Sequence, residues 1–558
     1  MSNLDTKTVS QQAERWQRTL YAPEIARQSE RRDFVTDTGI PVNALYTPAD
    51  VAASGQGYME ALGFPGEYPF TRGDRPAMYR NEPFVVSAYA GFGEAGECNR
   101  RYRKLVDMGA RQIMLALDLP TQCGYDSDHV MSTGEVGQAG VAISTLADME
   151  ALFEGVAVEQ LSNIAGISNS IGPIILAMFA AMAERRGLKL TDICVNLQND
   201  PLTEYIARGT QILPCVPAAK LAADCVMWAV DHAPNWMPMS VSNNHMNAGG
   251  AGSIRATAMA LGNAIYYIEL MLAQGFTIDQ VAPLITMKTD ERYDFFVAVA
   301  NLRALRRVWA RLMKERYGAT TPRALGLRLH VYGHGLETLQ EPLNNIARIG
   351  FGTLAYVFGG ATFVFLASYD EAVSLPSEES MRVALRTQQI IAHEHGFTDT
   401  IDPLGGSYYV ETLTNQVESQ ILAALSEVEE AGGALRVIDG GLGRRWMNEG
   451  AVRRQRALDT GTRPWVTVNV LPQQPERPPA FRMDPDNVRR QIERLQQVRQ
   501  DRSAERVRAA LAGIDAACQS GANIMPPLLE AVRAQVTVGE ICARWRTHFG
   551  EYEPSTDF

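Results

Sequence analysis

From about Phe84 the chain alternates short apolar runs of strand length with longer stretches whose apolar residues recur every three or four positions. The strand candidates are FVVSAY (84–89), QIMLAL (112–117), NIAGIS (163–168), DICVNL (192–197), MPMSVS (237–242), APLITM (282–287), LRLHV (327–331) and TLAYVF (353–358). Helical patterns fill the gaps, among them AGECNRRYRKLVDMG, IRATAMALGNAIYYIELMLAQG and RYDFFVAVANLRALRRVWARLM, the last with apolar i, i+3, i+4 spacing and arginines on its other face. Eight such units in about 290 residues predict a (β/α)8 barrel, a TIM barrel. The rival, a doubly wound open sheet, usually has fewer strands and a Gly-rich first turn, and no such turn is present.

The flanks read differently. Residues 1–60 form an N-terminal arm with one or two helices, and 61–400 the substrate-binding barrel. Residues 401–470 are a helical linker region, in which DPLGGSYYVE leads from a turn into a helix near 413–431. The rest, 471–558, opens with the Pro-rich LPQQPERPPAF (471–481) and continues as a mostly helical extension. There DPDNVRRQIERLQQVRQDRSAERVRAAL predicts one charged helix capped near Asp484 or Asp486, and TVGEICARWRTHFGEYEP a further one.

Composition narrows the function classes. With 52 basic and 63 acidic side chains the formal charge is −11, which argues against nucleic acid or an anionic membrane as partner. No apolar run reaches the ~20 residues of a membrane helix, and the polar start carries no signal-peptide stretch. A cytoplasmic location is the expectation. The seven cysteines are scattered and form no C-x-x-C, as suits reduced thiols. No metal-ligand spacing stands out, and His393 and His395 point to different helix faces.

Barrel enzymes carry their reactive groups just past the C-terminal ends of the strands. There the chain has Tyr89, Asp118, Gln198, Asn199, Asp200, Asn243, Asn244, His245, Lys288, Asp290, Tyr332, His334 and, further on, Glu371. Asp118 and the acids of GYDSD are equally readable as loop caps, and a lone histidine as an ordinary hydrogen-bonding residue. His245 stands out because Gln198 and Tyr89 share its barrel mouth. These residues define a neutral polar site without defining a reaction.

Longer motifs carry a resemblance: AYAGFGEAGECNRRYRKL (88–105), LDLPTQCGYDSDHVMSTGEVGQAGVAI (117–143), LQNDPLTEYIARGT (197–210), the HM of NNHMNAGG (243–250), LNNIARIG (343–350), DEAVSLPS (370–377) and DPLGGSYYVE (402–411). From about residue 65 to 550 the chain is similar to the large subunit of the methylmalonyl-CoA mutase family. The resemblance implies an isomerase that uses adenosylcobalamin to rearrange the carbon skeleton of an acyl thioester by a radical route. It implies that His245 and Gln198 hydrogen-bond the thioester carbonyl, that Tyr89 lies between substrate and cofactor, and that Arg208 pairs with a substrate carboxylate. Asn244 and Arg328 fall on substrate-contacting positions, and Asp118, Gln122, Ala139 and Glu371 on the cofactor side. The family's Asp-x-His-x-x-Gly cobalt-ligand loop does not occur in this sequence. A two-component enzyme is therefore expected, a hetero-oligomer whose cobalamin is carried by a small partner subunit.

The departures from the family concern the thioester handle. Glu82, Val85, Ser87 and Leu284 stand where arginines or a small hydroxyl residue are expected; Arg75 and Arg80 are candidate replacements, and Arg328 matches a retained arginine. Asn244 replaces a tyrosine, YGHG (332–335) a Gln-Thr-Ser-Gly segment, and the strand-six loop MKTDERYD is charged where the family is apolar. Three readings follow: a mutase on a carboxylated acyl thioester, a mutase on an acid with a non-CoA or carrier-bound handle, and a barrel that serves a true mutase as a non-catalytic partner.

Overall fold

A computed structural model describes residues 6–30, 33–290, 294–333, 335, 337–475, 483–484 and 486–553. His334, the 291–293 part of MKTDERYD and the 476–481 part of the Pro-rich segment lie outside the described residues.

Eight parallel strands form the barrel: β1 (Val85–Ala90), β2 (Gln112–Leu115), β3 (Asn163–Ile167), β4 (Val195–Gln198), β5 (Met239–Ser242), β6 (Ile285–Thr289), β7 (Leu329–Gly333) and β8 (Phe363–Leu366). They pair in the order β4-β3-β2-β1-β8-β7-β6-β5, and β1 meets β8 at Val85↔Phe363. Between β4 and β5 the ring closes through the parallel bridge Asn196↔Met237, where Leu197 N–H donates to Met237 O at 3.1 Å and Met237 N–H to Val195 O at 2.8 Å. The expected open-sheet rival is thereby excluded.

Side chains alternate across each strand. Val86, Ile113, Ile164, Val195, Val241, Met287, Val331 and Val364 point outward into the main core beneath the surrounding helices. Inward-pointing Met114, Ala165, Ile167, Tyr332 and Phe365, with Tyr89 against them, form a separate cluster on the barrel axis. The barrel is packed, not hollow.

Three expectations need correction. TLAYVF lies in helix Asn345–Phe358, and the eighth strand is the following FVFL. A six-residue apolar run does not distinguish strand from buried helix; Gly359 and Gly360 end the helix and FVFL enters the sheet. The arginine face of helix Phe295–Arg311 is buried: helix Tyr408–Glu430 covers it, with Arg303 paired to Asp402 and to Glu411 (2.7 Å) and Arg307 to Glu418 (2.6 Å). The charged C-terminal helix is two, Asn487–Asp501 and Ala504–Ser520, because Ser503 caps the second by accepting from Arg506 N–H at 3.3 Å.

The extension reaches the barrel mouth. Arg494 pairs with Glu94 after β1 at 2.6 Å, and Arg499 with Asp126 in the loop after β2 at 2.7 Å. Asp126 also accepts from Thr537 Oγ1 (2.6 Å) and Gly539 N–H (2.8 Å), so the GYDSD acid is a loop tie. Helix Ser253–Ala273 is long and apolar enough to cross a membrane by length and composition, contrary to the expectation; it is mostly buried, between the barrel and helix Tyr408–Glu430.

Candidate active site

Gln198, the last residue of β4, is fully buried, and its amide lies 3.3 Å from His245 Nδ1. His245 stands in the first turn of helix Asn244–Gly249, directly after β5. Asn243 anchors that turn: its Nδ2 donates to Thr257 Oγ1 (3.0 Å) and Thr289 Oγ1 (2.8 Å), and its Oδ1 accepts from Asp290 N–H (3.1 Å). With the amide nitrogen turned toward the ring, Nδ1 accepts and the imidazole proton sits on Nε2. Gln198 Oε1 is buried and has no hydrogen-bond partner among the described residues. In either orientation of the amide, one of its two polar atoms remains for a ligand.

Asp200 sets the spacing between β4 and β5. Fully buried, it accepts from Thr203 Oγ1 (2.6 Å), Tyr267 O–H (2.9 Å), Asn263 Nδ2 (3.2 Å) and the Ser242 N–H (3.2 Å). Burial pushes its carboxyl up, and those four donors oppose the rise. Asn169 Oδ1 accepts from the Asp200 N–H, which ties in the end of β3.

Arg208 lies in a π-helical turn, Glu204–Arg208, ended by Gly209 at φ 87°. Its guanidinium donates to Glu204 Oε1 at 3.0 Å and to Gln122 Oε1 at 2.5 Å. Glu204 is itself buried, held by Asn169 Nδ2 (2.5 Å) and the Thr210 N–H (3.1 Å). The i, i+4 spacing of Glu204 and Arg208 was visible in LQNDPLTEYIAR, but nothing there marked Glu204 as the arginine's counter-charge. Arg208 reaches toward Tyr89, whose phenol is pushed up to about 12 by burial, with Arg208 opposing and Glu371 adding to the rise.

Lys288 and Tyr332 lie within their strands, not after them as expected, and both face the axis. The Lys288 ammonium crosses the interior to Gly166 O of β3 (3.3 Å) and sits 5.9 Å from the centre of the Tyr332 ring. Burial, and secondly Arg208, push Lys288 down to about 7. Tyr332 O–H meets Met114 Sδ, and its ring packs edge-on against Phe365 at 5.1 Å.

Tyr89, Gln198, His245, Arg208 and Gln122 thus share the mouth. Asn244 turns back and accepts from Ser242 Oγ, fully buried. Asp118 caps its loop, as the simpler reading had it: its oxygens accept from Thr121 N–H (3.0 Å) and Gly137 N–H (2.8 Å), and burial pushes it up to about 6. That loop folds so tightly onto β2 that a Cβ on Gly140 would lie 2.2 Å from the Leu117 carbonyl carbon. Ala139 beside it is exposed at the rim. Glu371 is at the rim too, accessible yet hemmed in; this crowding, then Glu337 and Asp370, push it up to about 7.

The handle residues are at the opposite end. Arg328 precedes β7, donating to Met237 Sδ (3.3 Å) and Pro283 O (3.4 Å). Leu284 is buried before β6, and Glu82, before β1, pairs with Arg111 at 3.3 Å. Arg80 is tied to Asp399 O (2.7 Å), Arg75 lies 3.9 Å from Asp74, and Ser87 is buried within β1. Between the two ends the axis is crossed by Asn196, which donates to Thr286 Oγ1 (3.2 Å) and meets His330 Nε2 (3.0 Å), and by His330 stacked on Phe363 at 4.0 Å. Among the described residues no group of three or more His, Cys, Asp or Glu gathers as a metal site.

A parallel barrel with a paired amide and imidazole beside a guanidinium at its C-terminal mouth is the build of a barrel enzyme with a polar site at that face. The sequence model of the methylmalonyl-CoA mutase family matches residues 35–551, and the chain belongs to that family of isomerases. It is 37% identical to the 2-hydroxyisobutanoyl-CoA mutase large subunit of Aquincola tertiaricarbonis, with both chains covered in full. It is 36% identical to the methylmalonyl-CoA mutase of Rhizobium meliloti (strain 1021), over 93% of this chain and 72% of that one. With the mitochondrial methylmalonyl-CoA mutase of Homo sapiens it shares 36% identity over 93% of this chain and 69% of the relative.

Asp200→Ala takes the acceptor from Tyr267 O–H, Asn263 Nδ2 and the Ser242 N–H, and leaves Thr203 Oγ1 only the Ser242 carbonyl at 3.4 Å. Denaturant unfolding should show a loss on the order of 3–5 kcal/mol, and Asp200→Asn, which keeps one acceptor oxygen, should lose less.

Proposed function

We propose that this chain is the large, substrate-binding subunit of an adenosylcobalamin-dependent carbon-skeleton mutase acting on a carboxylate-bearing acyl thioester. The observation that carries the reading is the Gln198–His245 pair set beside Arg208 and Tyr89. His245 Nε2–H donates to the thioester carbonyl oxygen as charge shifts onto it, and Gln198 fixes the imidazole. Arg208 pairs with the free carboxylate, and the Tyr89 ring closes the site above the axial cluster and keeps water from the reacting carbons.

The mouth suits a large cofactor brought by another chain. Its rim exposes apolar side chains on the loop after β2 (Leu119, Val130, Met131) and on the loop after β7 (Leu339, Leu343), which a partner would cover. Glu371 and the loop around Ala139 would hold the cofactor's edge. Bound there, adenosylcobalamin supplies a weak cobalt–carbon bond, the source of the radical. The Aquincola relative is named a large subunit, which supports a small partner for this chain as well.

A second reading, a non-CoA or carrier-bound handle, is favoured by the filled axis. Tyr332, Phe365, Met114 and His330 lie between the mouth and Arg328, and Glu82, where the family is expected to supply positive charge for phosphates, is a carboxylate that also occupies Arg111.

Gel filtration with adenosylcobalamin should give a stable complex only when a small cobalamin-binding subunit is added. Tight, stoichiometric cobalamin binding by this chain alone would overturn the partner assignment.

Arg208→Gln should cost about 2–5 kcal/mol toward a carboxylated acyl substrate and far less toward its uncarboxylated match. Steady-state rates of the assembled enzyme on such a pair decide; equal losses on both would reduce Arg208 to a loop brace.

Calorimetry with coenzyme A and with acyl-pantetheine separates the two handles. Near-equal affinities favour the second reading. A large advantage for the coenzyme, lost on changing Arg75 or Arg80, favours the first.

A further inference from the structure

The mouth has an unusual charge balance. Arg208 faces it already paired with Glu204, so the two cancel. Lys288 is fully buried on the inner face of β6, close enough to Arg208 for the charges to repel, and no carboxylate of the described residues offsets it. Its ammonium has three donors and, among the described residues, only the Gly166 carbonyl at 3.3 Å as hydrogen-bond acceptor. A buried ammonium held so poorly costs stability and has no value to the fold alone.

We propose that Lys288 is a substrate ligand, the residue whose charge holds the free carboxylate, while Arg208, neutralised by Glu204, orients it. The inference rests on the carboxylated-acyl reading above and adds to it the source of the binding charge. One carboxylate entering between Lys288 and Arg208 brings the site to neutrality and satisfies the unused ammonium donors. The ammonium lies 5.9 Å from the centre of the Tyr332 ring, so the charge is delivered from below the mouth, from strand six, where the sequence is charged instead of apolar.

The groups facing Lys288 are Arg208 from the turn after β4, and His330 and Tyr332 from β7. Burial, then Lys288 and Arg328, hold His330 neutral, and burial holds Tyr332 protonated. Lys288, at about 7, is the member of this group that changes charge near neutrality. Carboxylate binding should therefore be full below that pH and weaken as pH rises through and beyond it. Glu371 at the rim titrates in the same range, so Glu371→Gln serves as the control.

The test is calorimetry on the chain assembled with its small subunit, using succinyl-pantetheine and butyryl-pantetheine, which differ in the terminal carboxylate. The wild type should prefer the succinyl probe, less so at pH 9 than at pH 6. Lys288→Met should remove roughly thirtyfold or more of that preference, abolish its pH dependence and raise the apo melting temperature. Lys288→Arg should keep a preference that no longer varies with pH, a readout that holds even where Lys288→Met fails to fold. If Lys288→Met melts lower and keeps the preference, or the pH dependence survives in Lys288→Arg, Lys288 is a brace across the barrel and the proposal falls. If Arg208→Gln removes the preference while Lys288→Met keeps it, the carboxylate reading stands without this addition; if the wild type shows no preference, that reading itself falls.

Discussion

The fixed distance between the ends of β4 and β5 is the constraint on which the site depends, and one buried carboxylate, Asp200, maintains it. Sheet pairing there is thin: the ring closes through a single bridge, Asn196↔Met237. Asp200 adds what the backbone does not, by binding the Ser242 N–H of β5 together with Tyr267 and Asn263 of the helix that follows. Gln198 precedes Asp200 by two residues and His245 follows Ser242 by three. Their 3.3 Å approach is therefore inherited from the Asp200 network. Hydrogen bonds to a charged acceptor in a dry setting are strong and directional, and they suit a seam that must not slip.

The same logic recurs at larger scale. Helix Tyr408–Glu430 is fastened to the barrel by arginines that are themselves fully buried, Arg303 and Arg307, each matched by carboxylates. Helix Asn487–Asp501 is fastened to the mouth loops through Glu94 and Asp126. These pairs lose much of their attraction to desolvation, so their effect is on geometry more than on stability: the loops that carry Gln122 and Ala139 are held by the C-terminal extension as well as by the strands. A barrel mouth that must meet another subunit gains from loops fixed at both ends.

Much of this was legible in the sequence, with failures of identifiable kinds. The strand–helix rhythm defined the barrel because inward and outward residues alternate within runs bounded by turns. It misassigned TLAYVF, where six apolar residues fit a strand and a buried helix equally, and only the glycines that follow mark the boundary. It made the arginines of helix Phe295–Arg311 a free face, because a buried ion pair and a solvated charge look alike in one dimension; Asp402, Glu411 and Glu418 are about a hundred residues away. At the site, Gln198 lies against His245, and Arg208 is near enough to Tyr89 to act on its phenol. Arg328 did not join them, and its place ahead of LHVYG already put it at the other end of a parallel strand. Lys288 was read as following strand six because the strand was ended two residues early. The alternation Thr286, Lys288 then turns it inward.

Selectivity in this site follows from which polar atoms the fold leaves unsatisfied. Asp118, Asn243 and Asn244 have partners within the chain, and so have little to offer a ligand. Gln198 Oε1 and the Lys288 ammonium are the opposite: buried groups whose hydrogen-bonding capacity is mostly unspent. An acyl group without a polar atom to meet them leaves both desolvated and unpaired, which is a larger penalty than any loss of contact area. An acceptor such as a carbonyl engages His245, and an anion engages Lys288 and Arg208. The two demands fall on different parts of one small molecule, and the aromatic cluster beneath limits how far that molecule extends along the axis. The barrel thus selects by the cost of leaving its own groups empty, a form of discrimination that needs few contacts and tolerates the rewritten handle end.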